Sequence, residues 1–302
     1  MLDNHHDLSK DTWFAGGAWC WNGFVPHNYY ALKTLSASID ACIDKGVRNY
    51  MVTVWRDGGE GTLHSVLPSM FYVAERAKGN KDEKSIKEKF KKLIGIDFDD
   101  YMLLDEPNNI AGNEKEAENP RNPSRYMFYS DCLLGFADYT VKEGAGKKYA
   151  EISRKLKEVS KKSRKYGYIF KTAAELCDVL ELKYDLGVRT RKAYQSKNKD
   201  ELLSLVNNEY AKLPKLIDKF AITYEKQWMT ENKCQGLEVM NNRFGGVIRR
   251  IEFVRRRLLD YCNGKLDRID ELECEILPYG EKEESTDVIW FHEMTTCGYV
   301  KI

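Results

Sequence analysis

The sequence predicts an α/β segment of two βα units followed by a mainly α-helical bundle. Two short apolar runs, Thr12 to Ala18 and Val47 to Trp55, each lead through a glycine- and tryptophan-rich loop into a segment with helical periodicity. From Gly79 the composition shifts towards charge, placing a boundary between residues 1–78 and 79–302. Beyond it, three long segments repeat apolar residues at helical spacing, the signature of helices that bury one face against each other.

Residues 1–10 read as the end of a helix, and Thr12 to Ala18 as a buried strand whose glycines permit close backbone approach. After a loop over Asn22–Asn28, Tyr29 to Lys45 carries Tyr30, Leu32, Leu35, Ile39, Cys42 and Ile43 at helical spacing, with Gly46 as the stop signal. Val47 to Trp55 is β-branched and aromatic, as strands prefer. Gly58, Gly59 and Gly61 mark a tight loop, and Leu63 to Lys78 returns to a helix. Strand, helix, strand with short connections is a βαβ unit. Its strands are parallel, and the loops after the strand C-termini fall on one face. Asn80 to Lys92 is a charged stretch, and Asn108 to Arg125 reads as a surface loop or domain connection. Lys147–Leu182, Asp200–Met229 and Leu237–Cys262 are the expected bundle helices. Leu272–Leu277 and Val288–Phe291 read as short strands or extended packing segments.

The formal net charge is +1, from 48 basic and 47 acidic side chains, which leaves no global field for nucleic acid or an anionic membrane. The basic runs Arg154 to Lys165 and Arg249 to Arg257 fall on helical patterns and read as solvated faces. Eight cysteines without a CxxC pair argue against a zinc ribbon or disulfide framework, and Cys42, Cys177 and Cys262 sit on apolar helix faces. No segment has the roughly twenty apolar residues of a membrane span, and residues 1–10 do not read as a signal peptide. The expectation is a cytoplasmic protein without metal or other cofactor. His5 and His6 lack ligand spacing, His64 and His292 have no partner in sequence, and no serine or cysteine shows a nucleophile-elbow context. His27 reads as a structural loop residue, and Asp99-Asp100 as a helix cap rather than an acid–base dyad.

The chemistry concentrates at the two strand ends. Trp19, Trp21, Trp55, Asp57 and Glu60 combine flat indole faces with carboxylates, which suits a sugar ring: its C–H face stacks on the aromatics while its hydroxyls donate to the acids. Asp57 alone would read as a turn residue before Gly58, and Glu60 equally as a charge favoured at a helix N-terminus.

The segments Trp-Phe-Ala-Gly-Gly-Ala-Trp-x-Trp-x-Gly-Phe (13–24), Val-Trp-x-Asp-Gly-Gly-Glu (54–60) and Leu-Pro-Ser-Met-Phe-Tyr-Val-Ala-Glu (67–75) resemble the late-barrel segments of glycoside hydrolase family 20, the β-N-acetylhexosaminidases. Asn-Pro-Ser-Arg-Tyr-Met-Phe-Tyr-Ser-Asp-Cys-Leu-Leu-Gly (122–135) and Arg-Phe-Gly-Gly-Val (243–247) resemble the helical C-terminal region of its intracellular bacterial subgroup. The resemblance implies that residues 12–19 and 48–55 are the last two strands of a TIM barrel. The implied activity is release of terminal β-linked N-acetylglucosamine or N-acetylgalactosamine, with the substrate's own acetamide as nucleophile. It assigns Trp55 to a wall of the terminal-sugar subsite, Asp57 to its O4 and O6 hydroxyls, and Trp19 and Trp21 more loosely to the same pocket. The family's catalytic Asp–Glu pair lies at the fourth strand, so no catalytic residue is expected in this chain. A barrel needs on the order of 250 residues, and the barrel-like part spans residues 1–78. The expectation is therefore a C-terminal portion, inactive alone, that binds β-linked N-acetylhexosamine oligosaccharides and either self-associates or packs with the rest of the barrel. A non-catalytic barrel-completing subunit and a helical interaction scaffold are the alternatives.

Overall fold

The computed structural model describes residues 2–9, 11–56, 60–110 and 121–276. Helix α1 (Leu2–Leu8) precedes strand β1 (Trp13–Gly17), helix α2 (Asn28–Asp44) and strand β2 (Asn49–Thr53). The two strands pair in parallel, from Trp13 opposite Asn49 to Gly17 opposite Thr53, and α2 makes the crossover between them. Gly16 sets the depth at which that helix can lie. A Cβ there would come within 2.4 Å of the Tyr50 hydroxyl and 2.6 Å of Leu35. Phe14 stacks on Tyr50 at 5.3 Å, and the Tyr50 hydroxyl meets Ser38 Oγ at 2.7 Å, fastening helix to sheet. A 3-10 turn over Leu63–Val66 then leads into α3 (Leu67–Ala77). Ala18, Cys20, Ala31, Leu35, Ile39, Val66 and Val73 form a small core under this unit. The opposite sheet face is bare, with Trp13 67% and Met51 49% exposed.

The charged stretch after α3 is an ordered helix, α4 (Glu83–Ile94). Asp82 accepts the Lys84 amide at its start, and Gly95 ends it in the left-handed conformation (φ +83°). Next come α5 (Phe98–Met102), a 3-10 turn over Leu103–Asp105, and α6 (Pro123–Tyr129). Asp99 and Asp100 lie within the first turn of α5, which Asp97 precedes as N-cap, and they pair separately with Lys87 and Lys162.

The helical part comprises α7 (Lys147–Ser160), α8 (Gly167–Lys183), α9 (Leu186–Gln195), α10 (Lys199–Asn207), α11 (Glu209–Glu231), α12 (Leu237–Cys262) and the short α13 (Asp270–Glu273). The expected helix over 147–182 is two helices, because the chain reverses at 161–166 so that α8 packs on α7. Gly167 permits the reversal, since a Cβ there would sit 2.2 Å from the Ser160 carbonyl oxygen. The segment 200–229 is likewise divided at Asn208, whereas α12 spans the residues its periodicity predicts. The segment 272–277, read as a short strand or extended packing segment, forms no strand among its described residues: Leu272 and Glu273 lie in α13 and Cys274 is extended. Leu277 and the segment 288–291 lie outside the described residues. Helix α8, apolar on nearly every side, is the axis on which α7 and α11 pack, and α12 lies against α11.

Candidate functional site

The two strands end side by side, so the loops that follow them share one rim. The Ala18 amide donates to the Thr53 carbonyl at 2.9 Å, continuing the ladder past Gly17. The Cys20 thiol then donates to the Trp55 carbonyl at 3.4 Å and ties the second loop to the first. Trp19 and Trp21 pack together with centroids 4.5 Å apart, and Trp19 meets Tyr30 edge-on at 4.6 Å. Gly17 makes room for them, because a Cβ there would lie 2.7 Å from the Trp21 ring. Both indoles are half-buried, and Trp55 is 55% exposed. The structure thus gathers three of the four expected sugar contacts at one strand end. The fourth, Asp57, lies with Gly58 and Gly59 outside the described residues.

Glu60 is not a solvated helix-terminal charge. It is 1% exposed, and its Oε1 accepts from Arg125 Nε at 3.2 Å, Arg125 Nη2 at 3.1 Å and Arg243 Nη1 at 3.0 Å. Its backbone carbonyl accepts the Tyr224 hydroxyl at 3.1 Å. One carboxylate from the β2–α3 loop is thereby gripped by α6 and α12 together. The neighbouring Gly61 is wedged against the first loop. A Cβ there would lie 2.1 Å from the Cys20 carbonyl oxygen, so Gly61→Ala is expected to lower the urea midpoint and disorder the loop, read by loss of amide protection around Cys20.

Other contacts fasten the same loops to the bundle. Phe24 inserts among Phe128, Tyr129, Phe220, Tyr224 and Phe244, with centroids 5.2–6.2 Å away. Arg56 donates to Asn232 Oδ1 and lies over the Trp228 ring at 5.3 Å. Thr62 donates to Glu231, which also accepts the Tyr168 hydroxyl at 2.8 Å. His64 Nδ1 lies 2.8 Å from that hydroxyl, giving His64 the partners its sequence context lacked. These long-range partners carry no local signal, but Arg125 and Arg243 both fall inside the helical segments quoted for the resemblance.

The entry to α2 is built from buried polar groups. His27, its N-cap, is 4% exposed and has Nε2 3.3 Å from Asn108 Nδ2. Burial pushes its pKa down to about 4, so the ring is neutral and accepts from the amide. Asp105 accepts the Tyr29 amide at 2.8 Å and Asn28 Nδ2 at 3.1 Å, while burial pushes its carboxyl up to about 7. The His27 ring is therefore a structural group held by Asn108, while its backbone amide donates to the Trp19 carbonyl at 2.9 Å. Among the described residues no three His, Cys, Asp or Glu side chains could hold a metal ion, and no helix is long and apolar enough to cross a membrane.

No curated protein matches the chain. The sequence profile of the glycoside hydrolase 20C C-terminal domain does, over residues 99–290, a span from the first turn of α5 through the bundle that includes both arginines gripping Glu60. The chain belongs to the glycoside hydrolase 20C C-terminal domain family.

Proposed function

We propose that this chain forms the closing part of a β-N-acetylhexosaminidase: residues 1–78 are the last two βα units of a TIM barrel, and residues 79–302 the helical domain that holds their loops in place. Trp55, Trp19 and Trp21 stack on the terminal β-linked N-acetylhexosamine, and Asp57 accepts from its O4 and O6 hydroxyls. The observation that carries this reading is the register of the parallel pair. With Gly17 opposite Thr53, both tryptophan-bearing loops leave from the same strand end, where the functional loops of such barrels lie. The bare sheet face bearing Trp13 and Met51 supports it too, since in a closed barrel that face would be covered by the other strands. Self-association or docking of the remaining barrel strands would cover it. The proton donor and the group that orients the acetamide belong to earlier strands, outside these residues.

Titration with N-acetylglucosamine, followed by intrinsic tryptophan fluorescence, tests the pocket. Wild type should show saturable quenching. Trp55→Ala should weaken binding at least tenfold, the loss of one stacking face at roughly 1.5 kcal/mol. A wild type that does not respond, or a variant that binds equally well, would overturn the assignment. The chain alone should not turn over a chromogenic N-acetylglucosaminide.

A further inference from the structure

Two turns along α12 from Arg243, about 10 Å by helical rise, a pocket of about 350 Å³ opens between the loop after α6, the C-terminal end of α8 and α12. Helix α12 contributes the apolar side chains Val247, Ile251 and Val254, together with Arg250. The opposite side is polar and buried. Lys183, the last residue of α8, is 2% exposed; its Nζ donates to the carbonyls of Met127 at 2.8 Å and Ser130 at 2.5 Å. An ammonium carries three N–H groups, so one is left over among the described residues. The Ser130 side-chain hydroxyl is buried and likewise has no partner among them.

The carboxylate of the pocket is already used. Asp131 Oδ1 receives the amides of Leu133 at 2.8 Å and Leu134 at 3.0 Å, and Arg250 donates to both carboxylate oxygens through Nε and Nη2. Burial pushes the Asp131 carboxyl up, but Arg250 and those two amides outweigh it and hold the group below its ordinary range. Arg250 also lies 3.8 Å from Glu271, and its Nη1 makes no hydrogen bond among the described residues. The one carboxylate of the lining is consumed, while two cations and the Ser130 hydroxyl still have N–H and O–H groups to give. A buried hydroxyl without a partner, as at Ser130, costs free energy that a hydrogen-bonding ligand would recover.

We propose that this pocket binds a small organic carboxylate. Its anionic head is taken by Lys183, Ser130 and Arg250, and its apolar body lies along Val247, Ile251 and Val254. The apolar wall selects such a ligand over an inorganic anion, and the donor surplus selects it over an alcohol of the same size. The site is independent of the tryptophan rim.

Calorimetric titration of the 302-residue chain with hexanoate, 1-hexanol and inorganic phosphate tests the assignment. Hexanoate should saturate one site and bind more tightly than either control. Ser130→Ala should weaken it about fivefold, the loss of one hydrogen bond. Leu134→Glu, at an exposed position on the lining, should weaken hexanoate and leave hexanol unchanged. Absence of saturation, hexanol or phosphate binding as tightly as hexanoate, or indifference to both substitutions would each overturn the proposal.

Discussion

Glu60→Ala is expected to cost about 3–5 kcal/mol of folding stability, the range for removing one partner of a buried ion pair. The reason lies in what remains. Arg125 is 2% exposed and Arg243 6%, so both guanidiniums would be left in the interior facing the space of a lost carboxylate. Denaturant midpoints give the measure. A combined Glu60→Met, Arg125→Met, Arg243→Met variant should recover most of the loss, because removing all three charges also removes the desolvation penalty. A loss below about 1 kcal/mol in Glu60→Ala would mean that water or side-chain rearrangement satisfies the arginines. The substitution should also reach the tryptophan rim. Glu60 lies five residues after Trp55, and its carboxylate and carbonyl moor that loop to α6, α11 and α12. Amide exchange over residues 54–56 and 60–62 should therefore accelerate more than exchange in α8, the buried axis of the bundle.

How far the sequence discloses this arrangement depends on the range over which each feature is encoded. The βαβ order is local: strand runs, a helical repeat and a Gly46 stop mark it, and the strands occur within two residues of the expected limits. The breaks inside the long helical patterns are not legible in the same way. Apolar residues continue at helical spacing across Asn208, and they pause over 161–165 only to resume at Tyr166, because helices that fold back on one another still need an apolar stripe. The local marks at the first break are the polar run 161–165 and Gly167, whose role appears once Ser160 lies against it. The site divides along the same line. The placement of Trp19, Trp21 and Trp55 at one strand end is legible because the strand runs that precede them are local, while the sugar we propose for them comes from the resemblance. Glu60 is misread because its partners lie 65 and 183 residues away, and a Gly-Gly-Glu turn before a helix has a simpler local explanation. Two arginines in the two helical segments that carry the resemblance are the kind of signal that asks for a carboxylate elsewhere in the chain.

At the entry to α2, two buried titratable groups are expected to give opposite pH dependences that partly cancel in the wild type. His27 has its pKa depressed from 6.5 to about 4, so the folded state binds a proton less readily than the unfolded one. Its contribution is fully present above pH 6.5 and lost as pH falls towards 4, a span worth about 3 kcal/mol. Asp105 has its pKa raised from 3.8 to about 7, so the folded state holds its proton longer. Its contribution is present below pH 3.8 and lost as pH rises towards 7, a span worth about 4 kcal/mol. Asp138, also raised to about 7 by burial, slopes the same way as Asp105. Substitution separates the two. His27→Gln keeps an oxygen to accept from Asn108 but cannot take up the proton. It should gain stability relative to wild type by about 3 kcal/mol on going from pH 7.5 to pH 4. Asp105→Asn keeps an acceptor for the Tyr29 amide without the charge, so its deficit relative to wild type should shrink by about 4 kcal/mol between pH 4 and pH 7.5. Urea midpoints at three pH values for each variant against wild type isolate these terms, since every other titrating group is common to the pair. Parallel profiles for wild type and both variants would show that water reaches the entry of α2 and that neither group is held away from its ordinary proton affinity.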